Sequence, residues 1–312
     1  MRWNDRIGRR IKLSDLHILL AVAQSGSMAK AASALAVSHP VVSRSISDLE
    51  HTLGVRLLER NPHGVELTKY GRAMLSRSNA AFDELRQGVK DIEFMSDPTA
   101  GEVRIGTTPP LSASFVSAVI DRLGKRYPRI VFHIAIEGGE DQRGSLRERR
   151  IDLLVIRDHR AVDDDSLNFE RLFESPYVVA AGAKSPWTRR KRIELGDLVD
   201  EMWALPAPEN AMGAFAANVF RAGGLPLPRV SVVANAVELR ANLLRTGRYL
   251  SIVPEFWLQF PVPHPFVRKL PVKLPIASGP IGIFTLKNRV LNPAAQLFID
   301  CAREVAKPMA RK

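Results

Sequence analysis

SGSMAKAASALAVSHPVVSRSISDLEHTLGVRLLERNPHGVELTKYGR, residues 25–72, is the stretch on which the reading of the chain turns. Ahead of it, Leu16, Leu19, Leu20 and Ala23 recur at the spacing that lays one apolar stripe on a helix, with Ser14 placed to cap it. After the turn at Gln24-Ser25-Gly26, Ser27 can cap a second, Ala-rich helix from Met28 to Leu35. Only Ala36 and Val37 separate it from a third, for which Ser38 is the N-cap and Pro40 sits in the first turn, where no internal hydrogen bond is lost. Val42, Ile46, Leu49 and Leu53 give that third helix a buried face, leaving Pro40, Arg44 and Ser47 facing away and His39 and Ser43 on the flank. Gly54 ends it, because glycine tolerates positive φ.

Working outward, Leu57 to Arg60 and Val65 to Thr68 read as short strands about a turn at Arg60 to Gly64, a small hairpin or wing. Thr68 then caps a long helix to Met95. Along it Ala81 or Phe82, Leu85, Val89, Ile92 and Met95 step by three and four, the period of a seam that faces a partner helix. Asp97-Pro98-Thr99-Ala100-Gly101 stops the helix and marks a domain boundary.

A short helix with an apolar inner face and a polar outer face at its start suits a DNA major groove, which admits one helix and displays base edges to it. Arg44 can pair with guanine, Ser43, Ser47 and His39 can reach base edges, and Pro40 and Val41 can touch thymine methyls. Lys30, Arg56, Arg60, Lys69 and Arg72 offer phosphate contacts, and Ser27, Ser38 and His63 complete the candidates. On periodicity alone, a helical hairpin with a solvated polar face explains the same residues equally well.

Beyond residue 101 the pattern changes to strands alternating with helices, the signature of α/β sheets with helical crossovers. Strands are predicted at 102–106, 130–136, 152–157, 177–181, 203–205, 230–234, 249–253 and 281–286. Helices are predicted at 112–126, 141–149, 211–222, 237–246 and 293–306. Some 210 residues leave room for two lobes, with crossovers placed at 182–187 and 261–280. The 312 residues carry 45 Lys+Arg against 33 Asp+Glu, a net +12 that favours an anionic partner. The excess is spread over both halves, so charge alone locates no surface. No apolar run reaches membrane-span length and the N-terminus lacks a secretory leader, which implies a cytoplasmic protein with no membrane partner. The single cysteine, Cys301, excludes an internal disulfide and any Cys-rich zinc site, and reads as a buried small hydrophobe in the last helix. The histidines show no metal spacing, no nucleophile elbow or phosphate loop is present, and nothing points to catalysis or a cofactor. Thr188 to Arg192, TRRKR, reads as an exposed loop.

Leu16 to Thr68, with the helix pair, the LE..LG..L..R stretch at Leu49 to Arg60, the wing and the LT..G at Leu67 to Gly71, closely resembles the head of LysR-type transcriptional regulators. The resemblance implies an α+β multidomain chain: an N-terminal winged helix-turn-helix over 1–67, a dimerising linker helix over 68–97, and over 98–312 a two-lobed α/β effector domain like periplasmic binding proteins. It implies double-stranded DNA, a small-molecule effector such as a sugar or organic acid, a homodimer or homotetramer, and contact with RNA polymerase as partners. The chain departs from the family at His39, where Gln is usual, and in the basic lead containing Arg2, Arg6, Arg9 and Arg10. That RIGRRIKL lead resembles the branch that includes regulators of sugar uptake genes.

The same resemblance places the effector between the lobes, where strand ends and helix N-termini present unpaired N–H groups. Thr107 and Thr108, Glu137 and Gly138 with Gly139, Pro206 and Pro208 in the run to Asn210, and Asn235 are the candidates; Asn235 is equally placed to cap the helix at Val237. An architectural DNA-binding protein without effector, and a metabolite enzyme with a DNA-binding head, are the alternative readings.

Overall fold

The computed structural model describes residues 10–61, 64–136, 140–158, 164–260 and 264–310, and divides into two compact units, 1–88 and 89–312. Expectations on Arg2, Arg6, Arg9, His63, Glu137, Gly138 and Gly139 lie outside the described residues.

In the first unit the three helices are α1 (Leu13–Ser25), α2 (Met28–Ala34) and α3 (His39–Leu53). The helix α1 begins one residue before Ser14: Lys12 is its N-cap, and the Asp15 carboxylate accepts from Lys12 N at 3.2 Å, so the acidic side chain does the capping that the serine was expected to do. Asp15 also accepts from Ser45 Oγ at 2.7 Å, tying α3 to α1. Leu19, Val22, Ala31, Val42, Ile46 and Leu49 are at most 1% exposed and form the core of the bundle. Ser27 and Ser38 occupy the N-cap positions of α2 and α3, but neither hydroxyl makes the capping hydrogen bond.

The turn between α2 and α3 is made by Ala36 at φ +52°, with Val37 N donating to Ala32 O at 3.0 Å. An L-residue with a Cβ is disfavoured there by about 1–2 kcal/mol. Ala36→Gly is therefore expected to stabilise the head by about 1 kcal/mol, read as a rise in its unfolding midpoint; an unchanged or lower midpoint contradicts it.

The hairpin β1 (Leu58–Asn61) and β2 (Gly64–Leu67) pairs antiparallel, and Val65 N donates to Gly26 O at 3.0 Å, pinning the wing to the turn after α1. Glu50 accepts from Leu57 N at 2.7 Å and Leu58 N at 3.1 Å, which fixes the entry to β1 from α3. Thr68 caps α4 (Lys69–Ser96), accepting from Gly71 N at 3.0 Å while donating to Arg56 O at 2.8 Å. A Cβ on Gly71 would strike Leu57 O, so that position admits no side chain. Phe82 turns inward against the head and lies 5.8 Å from the His17 ring. Ala81 therefore takes the seam side of that pair, and Leu85, Val89, Ile92 and Met95 are exposed, at 53, 55, 66 and 79%.

The second unit holds two five-stranded sheets. The first lobe orders its strands β4 (Arg129–Ile136), β3 (Ala100–Thr107), β5 (Leu153–Arg157), β12 (Ile281–Leu286) and β6 (Leu167–Phe173), with β3, β4 and β5 parallel and β12 antiparallel to both neighbours. The second orders β11 (Val267–Lys269), β7 (Tyr177–Gly182), β10 (Tyr249–Pro254), β8 (Met202–Leu205) and β9 (Val230–Val233). Strand periodicity is visible in the packing: Leu153 and Val155 join one core while Leu154 and Ile156 join the core on the other face of the sheet.

The chain crosses between lobes twice, at 174–176 between β6 and β7 and at 270–280 between β11 and β12. The second crossing falls within the expected 261–280. The first corrects 182–187, which is a turn after β7; the unforeseen strand β6 puts the boundary before Tyr177. The expected helix 112–126 starts earlier, at α5 (Pro109–Leu111), opens to π-helical at Ser112–Val116 and resumes as α6 (Ser117–Gly124). The remaining helices are α7 (Glu140–Arg147), α8 (Ala211–Ala222), α9 (Val237–Arg245), α10 (Glu255–Gln259) and α11 (Pro293–Ala310). Cys301 is buried in α11, where burial pushes its thiol pKa up. A buried pair, Arg289 with Asp152 at 2.8 Å, closes the base of β5: Arg289 also donates to Ile151 O at 2.8 Å and Asp152 accepts from Arg104 N at 2.9 Å.

Candidate nucleic-acid interface and effector cleft

The start of α3 presents a continuous polar and small apolar surface. His39, Pro40, Arg44 and Ser47 are exposed, Val41 is 47% exposed and Ser43 is half-buried on the flank. Their positions follow from the buried Val42, Ile46 and Leu49, which set the rotation of the helix so that the 40, 44 and 47 positions point out. Arg44 has no carboxylate partner among the described residues, which leaves its planar fork of donors available.

Of the candidates around it, Lys30 on α2 is exposed, and Ser27 and Ser38 flank the turn at the two helix starts. Arg56 and Lys69 line one groove with Val55, Glu59, Thr68 and Tyr70. Arg72 is partly engaged, donating to Leu67 O at 2.7 Å. Arg60 lies on β1, on the wing. The structure brings these cations to the helix start, the wing and the start of α4, within one compact head.

In the second unit the candidates separate. Thr107 is fully buried and its hydroxyl donates to Val155 O at 2.8 Å, a link between neighbouring strands. The expectation that it offers this hydroxyl to a ligand is thus corrected; Thr108, half-buried at the N-cap of α5, faces outward. Pro206 is buried and Pro208 exposed in the loop after β8. Asn235 does not cap α9, whose N-cap is Ala236. Its carboxamide oxygen instead accepts from Ala207 N at 3.1 Å and Asn210 Nδ2 at 2.6 Å, holding that loop, while Asn210 caps α8 through Gly213 N at 2.8 Å.

Residues 13–72 match the family model of the bacterial regulatory helix-turn-helix proteins of the lysR family, and residues 96–307 match that of the LysR substrate binding domain. The chain belongs to the LysR family. It is a DNA-binding transcriptional regulator with an effector-binding domain. Similar relatives of this LysR-family regulator include the transcriptional regulator GbpR of Azospirillum brasilense, 25% identical over 97% of this chain and 89% of the relative. TdcA of Escherichia coli is likewise 25% identical, over 94% of this chain and 93% of its own. Among solved structures, full-length OxyR from Pseudomonas aeruginosa shares the fold at a TM-score of 0.67 and 20% identity, covering 97% of this chain and 98% of that one. CbnR, in a crystal structure with its target DNA, gives 0.53 and 21%, covering 95% and 100%.

Two features of this LysR-family chain escaped the sequence reading. The positive φ of Ala36 carries no compositional signal, since the residue there is not glycine. Arg157 and Arg240, one at the end of a lobe 1 strand and one on a lobe 2 helix, are 5 and 3% exposed; arginine is almost never that buried without a partner. No motif flags them.

Proposed function

We propose that this regulator reads DNA through the first turns of α3, with Arg44 pairing to a guanine edge, Ser43, Ser47 and His39 contacting neighbouring bases, and Pro40 and Val41 meeting thymine methyls. Lys30, Arg56, Arg60, Lys69, Arg72, Ser27, Ser38 and His63 serve the phosphates on either side. The observation that carries this reading is the outward, unpaired Arg44 on a helix whose opposite face is the core of the head. Two heads are paired through the exposed seam of α4, so that two α3 helices enter successive major grooves of an interrupted palindrome. The domains run 1–67, 68–97 and 98–312. An effector bound between the lobes beside Thr108 and the loop at 206–210 favours one arrangement of the domain and so changes spacing or DNA bend. The chain acts in the cytoplasm and performs no catalysis; among the described residues no helix is long and apolar enough to cross a membrane and no His/Cys/Asp/Glu group is spaced to hold a metal.

The roles separate under mutation. Arg44→Ala is expected to weaken binding to a specific site by about 1–3 kcal/mol and to relax preference at one base position. Lys30→Ala is expected to weaken binding to all duplexes alike and to lower the slope of log affinity against log salt by about one. Fluorescence anisotropy over a salt series on specific and scrambled duplexes checks both. An Arg44→Ala effect that is uniform across sequences contradicts the assignment.

A further inference from the structure

The two lobes meet around a pair of buried cations. Arg157 ends β5 in the first lobe; its Nη1 donates to Gly279 O at 2.6 Å in the second crossover, and its guanidinium lies 4.4 Å over the ring of Tyr177, the first residue past the other crossover. Arg240 projects from α9 in the second lobe toward Ser251, at 3.5 Å, and interacts electrostatically with the same Tyr177. Arg157 Nη2 and Arg240 Nε are buried with no hydrogen-bond partner among the described residues. Carboxylates nearby are committed elsewhere or face solvent: Glu174 is held by Arg171 at 2.9 Å, Asp158 pairs with Arg143 at 3.6 Å, and Glu238 is exposed on its helix.

Burying a guanidinium removes its hydration, and a fold that leaves an N–H of each unsatisfied gains nothing in return unless an anion supplies the missing acceptors. The loss is visible in Arg240, whose pKa burial pulls down to about 10 against the opposing pull of Tyr177 and Glu238. A carboxylate has two oxygens and one delocalised charge, which matches one open donor on each of two guanidiniums. We propose that Arg157 and Arg240 form the anion subsite of the effector cleft and that the effector is a small organic acid whose carboxylate bridges the two lobes there. The assignment rests on the reading of the second unit as effector-binding. It also supplies the coupling: Ser278 Oγ donates to Ser175 O at 3.3 Å, joining the two crossovers, and Arg157 grips Gly279 beside that joint, so an anion drawn between the arginines acts on the hinge itself.

The test uses the full-length protein, its Arg157→Gln and Arg240→Gln variants, and calorimetric titration together with thermal unfolding. Acetate, pyruvate and benzoate serve as carboxylate probes, inorganic phosphate as a second anion, and glucose and galactose as neutral probes. A carboxylate is expected to bind and raise the Tm of the wild type, with each variant weakening it about 10- to 100-fold, the effect of a lost hydrogen bond to a charged group. The ligand-free Arg240→Gln protein is expected to melt no lower than the wild type, because a buried unpartnered charge has been removed. A fall in that ligand-free Tm marks Arg240 as a structural brace and overturns the proposal, as does carboxylate binding that is equal in all three proteins or weaker than phosphate. A sugar that binds all three equally while the acids do not also overturns it, and leaves the effector reading standing; no binding by any probe removes both.

Discussion

Replacing Leu85 and Ile92 together by Asp is expected to convert the protein from a dimer to a monomer and to lower its affinity for a two-half-site duplex by about 10²–10⁴-fold. These residues, with Val89 and Met95, make an apolar line on α4 at three- and four-residue spacing that nothing in the chain covers among the described residues. The other side of the helix is closed: Ser78, Asp83 and Gln87 are at most 4% exposed. An apolar seam of this period is satisfied by an identical helix. Four facing carboxylates in a dry seam would be uncompensated, so the dimer is lost while the head, whose core uses none of these residues, stays folded. The affinity falls because the second α3 no longer binds as an intramolecular event. Sedimentation velocity and anisotropy on the same sample check both halves; a dimer that survives both substitutions contradicts the seam.

Asp152→Ala is expected to destabilise the second unit by about 3–5 kcal/mol, roughly 10 °C or more in Tm for a unit of this size. The side chains of Asp152 and Arg289 are 3 and 2% exposed, and removing the carboxylate leaves the Arg289 guanidinium buried beside it and Arg104 N without its acceptor. Exposed pairs such as Arg122 with Glu304, at 58 and 52% exposure, are expected to contribute about 1 kcal/mol or less, since water competes for both ends. Differential scanning calorimetry of Asp152→Ala and Glu304→Ala compares the two. Equal shifts would contradict the argument from burial.

The head was legible because its stretch of sequence mixes two kinds of information. Val42, Ile46 and Leu49 announce a helix face by spacing, and Gly54 announces its end by the conformation it adopts, φ +73°. Glu50, Thr68 and Gly71, which carry much of the family resemblance, turn out to build the wing rather than touch a partner: one anchors β1, one caps α4 and one makes room for Leu57 O. The resemblance thus reported the scaffold, and the reading face followed from it. In the second unit β5 and β7 were found because buried strands are continuous apolar runs, whereas β6, LNFERLF, alternates weakly and β11 spans three residues. Missing β6 displaced the first crossover. The candidate cleft was the least legible part. Thr107 and Asn235 look like ligand residues from their place after strands, but the hydroxyl of one and the carboxamide oxygen of the other are committed to backbone groups. Arg157 and Arg240 become noticeable only when burial and the missing acceptors are seen together.

The central claim, that a dimer reads DNA through two copies of the α3 surface around Arg44, is tested most directly by selecting bound duplexes from a randomised pool with the full-length protein and with Arg44→Ala, then sequencing both. The account expects a two-fold symmetric motif, half-sites a whole number of helical turns apart, with one position in each half losing its preference in the variant. A motif without symmetry, no enrichment at all, or identical motifs from the two proteins would contradict it.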